Sequence, residues 1–245
     1  MSRVTLVTGG SRGIGAAAAK ACAAAGHKVA INYVSQSAAA NAVRDAIVAA
    51  GGTAMVVKAD TAIEAEVIAM FDAVSAELGP ITGLVNNAGI HGPRGRLDAL
   101  TDAEIARVLD VNVRGCFLCA REAVKRMSTK SGGQGGAIVN ISSGSAHLGD
   151  PGGGVIYAAS KGAVNSLTIG LSQEVAGEGI RVNAVAPGMT DTDMPPPEKL
   201  AAAAGIIPMG RIGTPEEIAA AILWLLSDEA AYVAGANIRV AGGRL

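Results

Sequence analysis

Aromatic side chains are nearly missing from this chain: they make up 2% of its 245 residues, and Trp224 is its one tryptophan. A core must therefore be built from Ala, Val, Ile and Leu. Half of the residues are hydrophobic, so material for a large core is present. Cysteine is scarce and odd in number, at Cys22, Cys116 and Cys119. That excludes a disulfide framework and fits a reducing cytoplasm. Cys116-x-x-Cys119 lies in an apolar segment with no second pair nearby, so both read as packed core thiols, and no metal is expected. No basic run appears and the formal net charge is −1, which argues against nucleic acid or an anionic membrane as partner. The longest apolar run of the second half, Ile218 to Leu226, is too short to span a bilayer. A first strand is expected within a few residues of Met1, which leaves no room for a signal peptide, and the expected location is cytoplasmic.

Glycine, by contrast, is concentrated at one informative place. A β-branched, apolar run, Val4-Thr5-Leu6-Val7-Thr8, leads into Gly9-Gly10-Ser11-Arg12-Gly13-Ile14-Gly15 and then into an alanine-rich run from Ala16 to Ala25. This reads as strand, tight turn and helix. Such a turn aims backbone N–H groups at a phosphate at the positive end of a helix, and missing Cβ atoms let a pyrophosphate come close. The strand before and the helix after supply the context that a bare glycine turn lacks.

The rest of the chain alternates in the same way. Strands are expected at Lys28–Val34, Ala54–Lys58, Gly83–Val85, Ala137–Ile141, Ile180–Val185 and Asn237–Val240. Helices are expected at Ala38–Ala50, Ile63–Leu78, from Thr101 with Glu104 as a capping box, at Val113–Met127, Ile156–Ala176 and Glu216–Leu226. Met189–Gly213 holds three consecutive prolines and no clear strand, which suits a mobile lid over a substrate. Links are short and no linker separates two halves, so residues 1–245 read as a single α/β domain. Its expected form is a doubly wound, Rossmann-like parallel sheet with helices on both faces. The polar clusters at Gly9–Gly15, Asp60, Asn86–Gly89, Ser142–Ser143 and Pro187–Thr192 all follow strands, so they converge on one sheet edge.

Tyr157 and Lys161 stand four apart at the start of a helix and share one face. Ser143 ends the strand before that helix, so the three can meet. A tyrosine working as a base near neutrality needs its pKa lowered by about 3 units, roughly 4 kcal/mol. One ammonium at about 4 Å, at an effective dielectric near 20, supplies about that much. The serine hydroxyl then holds a carbonyl or alcohol oxygen beside the tyrosine. No Gly-x-Ser-x-Gly elbow surrounds Ser143, which sets aside a hydrolase built with His147. His147 and His91 remain candidates for lining a substrate pocket.

Together these residues resemble the classical short-chain dehydrogenases/reductases, and the resemblance covers nearly the whole chain. Thr8-Gly9-x-x-x-Gly13-Ile14-Gly15 is similar to that family's cofactor motif and Asn86-Asn87-Ala88-Gly89 to its sheet-stabilising motif. Ser143, Tyr157 and Lys161 fall at its catalytic positions, and Asn112 falls at the fourth, where a helix carbonyl and water relay protons to the lysine. The resemblance implies that the tyrosine exchanges the proton, while the lysine lowers its pKa and holds the nicotinamide ribose. It implies a nicotinamide shell of Gly9, Ser11, Arg12, Gly13, Ile14 and Gly15 in the turn. Further members are Asn32, Tyr33 and Ser35 after the second strand, and Ala59, Asp60 and Thr61 around the adenine. Asn86, Ala88 and Gly89 stand mid-sheet, and Pro187, Gly188, Thr190 and Thr192 at the nicotinamide. Two departures stand out. Ser143 lies 14 residues before Tyr157 where the family commonly has 13, so Ser142 and Ser145 stay open as the functional hydroxyl. Thr190 replaces the family's usual isoleucine.

The expected cofactor is NADP(H). NAD sites of this kind place an acidic residue about 20 positions after the turn. This chain has none before Asp45 and carries Asn32-Tyr33-Val34-Ser35 there. Arg12 is the candidate partner for a 2′-phosphate, with Asn32 and Ser35 as neutral donors. The function expected is hydride transfer between the nicotinamide and a carbonyl or secondary alcohol; a non-catalytic NADP sensor on the same fold is the alternative. Among substrates, a 3-oxoacyl group on acyl carrier protein is one candidate. Gln173 precedes Glu174 where those reductases usually have arginine, although Lys125, Arg126 and Lys130 can partly replace it. Small ketones, sugars and polyols are equally open, and Met194-Pro195-Pro196-Pro197 through Ile206-Ile207 points to a partly apolar pocket. The family resemblance also implies a homotetramer, with Ile218–Leu226, Trp224 and Gly235–Leu245 as subunit contacts.

Overall fold

Alternation of short apolar strands with helices gives the arrangement expected. The computed structural model describes residues 3–195, 200 and 204–244. Within them lie β1 (Val4–Val7), β2 (Lys28–Tyr33), β3 (Thr53–Lys58), β4 (Gly83–Asn86), β5 (Gly136–Ile141), β6 (Ile180–Pro187) and β7 (Asn237–Val240). They form one sheet in the order β3-β2-β1-β4-β5-β6-β7, and every pairing is parallel. The order reverses between β1 and β4, which opens a crevice at their C-terminal ends. The helices are α1 (Gly13–Ala24), α2 (Ser37–Ala49), α3 (Glu64–Leu78), α4 (Asp102–Leu109), α5 (Gly115–Met127), α6 (Ser145–Leu148), α7 (Val155–Val175) and α8 (Pro215–Leu226).

Successive strand residues feed two cores, one on each face of the sheet. Val7, Val29, Ile31, Val85, Val139 and Val185 pack with Ala18, Cys22, Val43, Ile47, Ile218, Ile222 and Leu225 from α1, α2 and α8. Leu6, Ala30, Leu84, Ile138 and Val182 pack with Val67, Phe71, Val74, Leu118, Cys119 and Met127 from α3 and α5. Alanines at 17, 18 and 19 let α1 lie close to the sheet, so a core this poor in aromatics still closes. All three cysteines are free and buried, and burial pushes the Cys22 and Cys116 thiols up to about 12. They are core thiols, as read.

Four local differences matter for the site. Helix α1 begins at Gly13 rather than Ala16, so the last glycines of the turn are its first turn. The helix opened by Thr101, with the expected capping box to Glu104, runs into α5 through one π turn at Asp110–Arg114. That single wide turn holds Asn112. A one-turn helix, α6, follows Ser143 where the sequence suggested only loop. Thr190 and Gly213 form a parallel bridge that ties the base of the expected lid, and Asp191 N–H donates to the Gly213 carbonyl at 2.9 Å. The expectation of mobility for 196–199 and 201–203 lies outside the described residues.

Gly15 shows how tightly the turn is built. A Cβ there would overlap the Gly9 carbonyl oxygen, stand 2.6 Å from Asn87 Nδ2 and 3.0 Å from Gly10 Cα. Gly15→Val is expected to destabilise by about 1–3 kcal/mol through overpacking, which lowers Tm by several degrees, on the order of 2–4 °C per kcal/mol. Thermal melting checks it, and an unchanged Tm would show that the turn gives way freely.

Candidate active site

The glycine turn is held from beneath by three side chains. Gly9 and Gly13 have φ of +61° and +53°, a conformation that suits residues without Cβ. Asn87 Nδ2 donates to the Thr8 and Gly9 carbonyls, each at 3.0 Å. Thr8 Oγ1 accepts from the Asn87 and Ala88 N–H groups at 3.0 Å. Asn32 Oδ1 accepts from Gly9 N–H at 3.2 Å, and its Nδ2 donates to the Ala59 carbonyl at 2.9 Å. Asn32 is buried, so its amide serves the scaffold. This corrects the expectation of a free donor to a phosphate at that position. Asn87, passed over in the sequence as part of a sheet motif, is the residue that fixes the turn to β4.

Near the open end of β2, Tyr33 is partly buried and Ser35 exposed, and no carboxylate stands on that strand end. Arg12 caps α1 from an extended backbone, with its side chain mostly exposed and Nη1 3.5 Å from Asp193 Oδ2. Lys58, which the sequence gave no reason to select, pairs in register with Tyr33 and is exposed. Ala59 and Thr61 are buried, and Thr61 packs where α5 begins, against Gly115. Asp60 Oδ1 accepts from Ala62 N–H at 3.0 Å and Oδ2 from Arg107 at 3.2 Å. Asn86 is buried and donates to the Cys116 carbonyl at 2.9 Å and to Asn140 Oδ1 at 3.2 Å, so it ties β4 to β5 and α5.

Ser143, Tyr157 and Lys161 converge, as their spacing implied. All three line one cavity of about 650 Å³, together with Ile14, Gly89, His91 and Thr190. Ser143 Oγ accepts from the Ser145 N–H at 3.1 Å, and its side chain acts to lower the Tyr157 hydroxyl pKa. The two neighbouring serines line the same cavity. Ser142 is buried and donates to Asn165 Oδ1 at 2.5 Å, under α7, while Ser145 starts α6. All three serines thus share the cavity with Tyr157, and Ser142 is engaged by Asn165. Lys161 is buried and donates to the Ile141 carbonyl at 2.7 Å. Asn112 grips Ile90 in both directions at 2.8 Å and donates to Ser160 Oγ at 3.0 Å, which in turn donates to the Tyr157 carbonyl at 2.6 Å. A Cβ on Gly89 would stand 3.3 Å from Asn112 Oδ1 and 3.4 Å from Lys161 Nζ, so the glycine keeps that space open.

The electrostatics differ from the simple pairing expected. Burial pushes the Tyr157 hydroxyl up, the Ser143 side chain pulls it down, and Asp150 pushes it up again; the net direction is up. Lys161 Nζ lies over the tyrosine ring, 5.8 Å from its centre. Burial also lowers Lys161, to about 8. The raised tyrosine favours the protonated phenol, the form that donates a proton. His147 lies in a separate cavity with Asn165 and Arg239, away from Ser143, so no serine–histidine pair forms.

Comparisons with known proteins identify the family. A family model described as "Enoyl-(Acyl carrier protein) reductase" matches residues 9–244. An uncharacterised oxidoreductase of Escherichia coli, YgfF, is 52% identical over 245 residues, covering 98% of this chain and 99% of that protein. A 3-oxoacyl-[acyl-carrier-protein] reductase of Synechocystis is 40% identical, covering 99% and 96%. The crystal structure of a short-chain dehydrogenase from Burkholderia cenocepacia in complex with NADP superposes with a TM-score of 0.91 at 38% identity, covering 99% and 97%. The chain belongs to the short-chain dehydrogenase/reductase family. As a member it is an oxidoreductase acting on CH–OH and C=O groups.

The residues present fit a nicotinamide dinucleotide. N–H groups of the first turn of α1 lack partners one turn earlier and face the crevice at the order reversal. The glycines leave room for a pyrophosphate beside them, and the cavity with Tyr157 adjoins Ile14 and Gly89. Among the described residues no cluster suited to a metal ion occurs, and no helix is long and apolar enough to cross a membrane.

Proposed function

We propose that the protein is an NADP(H)-dependent carbonyl reductase or secondary-alcohol dehydrogenase with Tyr157 as general acid and base. The observation that carries this is the meeting of Ser143, Tyr157 and Lys161 in one cavity that Ile14 of the glycine turn also lines. When bound, a nicotinamide cofactor would supply or take up the hydride. Ser143 holds the substrate oxygen next to the tyrosine hydroxyl, and Tyr157 gives its proton to that oxygen in reduction or takes it in oxidation. Lys161 would hold the ribose of that cofactor, and Asn112 ties the wide helix turn to Ile90. The shell for the cofactor is that expected from the sequence, with Asn32 as support. Met189–Gly213 acts as the substrate lid of a one-domain cytoplasmic enzyme. Exposed Phe117, Ile169 and Trp224 support assembly as a homotetramer, although Ile218, Ile222 and Leu225 of α8 face the core.

For the substrate, the cavity favours a small, partly apolar carbonyl compound: Leu148, Met189, Met194 and Ile206 line it. The reading as a 3-oxoacyl carrier-protein reductase has support from the Synechocystis relative. The cations offered for docking an acidic carrier are engaged, however. Lys125 and Arg126 pair with Glu122, Arg126 also with Asp72, and Lys130 with Glu178. The test is NADPH turnover over 3-oxoacyl thioesters, diketones and sugars. Oxidation of NADPH with a small ketone or diketone supports the proposal. Tight NADPH binding with no turnover across the panel turns the reading to a sensor.

A further inference from the structure

His91 reaches the cavity from the loop after β4 and lies flat against Tyr157. The ring centroids are 4.9 Å apart and the planes 19° from parallel. Its edge is held on both sides: Nε2 stands 3.4 Å from Asp150 Oδ2, and Nδ1 3.3 Å from the Gly92 carbonyl. Asp150 is itself in a special position. It has φ of +43°, the one positive φ outside glycine among the described residues. Backbone of that kind is costly for a residue with a Cβ, although aspartate tolerates it better than most. The loop holds Asp150 there: Gly154 N–H donates to its carbonyl at 3.0 Å, and a Cβ on Gly154 would stand 2.6 Å from the carboxylate carbon. Strained residues persist where the surrounding structure requires them, often next to a site.

We propose that His91, held by Asp150, is a positioning and specificity-determining residue that fixes the Tyr157 ring and walls off one of its faces. The inference rests on Tyr157 being the acid–base group. A stacked imidazole restricts rotation of the phenol, so the hydroxyl stays on the Ser143 side. It also occupies the space over the covered face. The two substituents of a ketone must then divide between unequal spaces, with the larger one directed to the wall of Leu148, Met189, Met194 and Ile206. Which face of the carbonyl receives the hydride follows from that division, so His91 acts on the handedness of the alcohol as well as on rate.

The experiment uses the full-length protein with NADPH and two prochiral ketones, ethyl 3-oxobutanoate and 1-phenylpropane-1,2-dione. Wild type, His91→Ala, His91→Phe and Asp150→Ala are compared for kcat, KM, enantiomeric excess, NADPH affinity and Tm. Ring stacking of this kind is worth about 2- to 10-fold. His91→Ala is expected to lose about that factor in kcat and to give product of lower enantiomeric excess, with NADPH affinity and Tm retained. His91→Phe, which keeps a flat ring but no polar edge, restores most of both. Asp150→Ala shifts both readouts in the same direction as His91→Ala, by less. A His91→Ala enzyme with wild-type kcat and enantiomeric excess overturns the inference, as does a His91→Phe enzyme no better than His91→Ala. Should His91→Ala fail to fold, the Asp150→Ala comparison decides alone. The parent reading fails differently: Tyr157→Phe would then retain turnover, or the wild type would reduce no ketone at all.

Discussion

Tyr157→Phe is expected to bind NADPH as the wild type does and to lose about 10²–10⁴-fold in turnover, the range for removal of a general acid–base group. Phenylalanine keeps the ring, its burial and its stack on His91, and deletes only the hydroxyl on which Ser143 acts. The direction of the tyrosine's pKa also fixes a pH dependence. Burial and Asp150 raise it, so the phenol is protonated at neutral pH and ready to donate. Ketone reduction is therefore expected to proceed well at neutral pH. Alcohol oxidation needs the phenolate and should climb as pH rises above neutrality. Lys161, lowered to about 8, still carries its proton in most molecules at pH 7, so its charge is available to the phenolate as that forms. Steady-state NADPH oxidation and a fluorescence titration of cofactor binding check the variant. A Tyr157→Phe enzyme running near the wild-type rate would move the proton transfer to another group.

The parts legible in the sequence were those written as periodicity or fixed spacing. Apolar strand runs gave the sheet. The four-residue step from Tyr157 to Lys161 placed both on one helix face, and Gly9, Gly13 and Gly15 marked a turn with no space for Cβ atoms. Strand parity also accounts for the contacts of Ser142: Val139 and Ile141 face one core, so Asn140 and Ser142 face the other, under α7, where Thr168 and Asn165 meet them. Other features depend on contacts between distant residues. Asn32 is buried because Gly9 and Ala59 both need its amide, a fact invisible in Asn-Tyr-Val-Ser. The π turn at Asn112 adds one residue to a helix without altering its composition. The lowered tyrosine pKa was argued from charge alone; burial, which is set by packing, opposes charge on both Tyr157 and Lys161 and pushes the tyrosine up.

Arg12→Ala is expected to weaken NADPH about 10- to 150-fold and to leave NADH nearly unchanged, the difference made by one charged hydrogen bond. The cofactor's two forms differ at the adenosine 2′-position, which falls near the end of β2 in sheets of this kind. No carboxylate stands on that strand end, so a 2′-phosphate meets no repulsion there, and a 2′-hydroxyl finds no acceptor of the kind NAD sites use. Arg12 lies in the glycine turn with an exposed guanidinium, and its ion pair with Asp193, at 3.5 Å, is exposed on both sides. Such a pair is worth little in water, so a phosphate dianion that accepts two parallel N–H bonds can displace it. Two further variants follow. Asp193→Asn frees Arg12 and should hold NADPH at least as tightly as the wild type. Lys58→Ala removes a second exposed cation beside Tyr33 and should weaken NADPH by a smaller factor, since an ammonium acts as a point charge rather than a fork. Because Asn32 is committed to the scaffold, the arginine has no neutral amide to share its task, which places its effect at the larger end of the range. Titration of each variant with both cofactors measures the split. Equal losses for NADPH and NADH in Arg12→Ala would show that the arginine grips the pyrophosphate common to both, and a wild-type preference for NADH would remove the 2′-phosphate from this pocket.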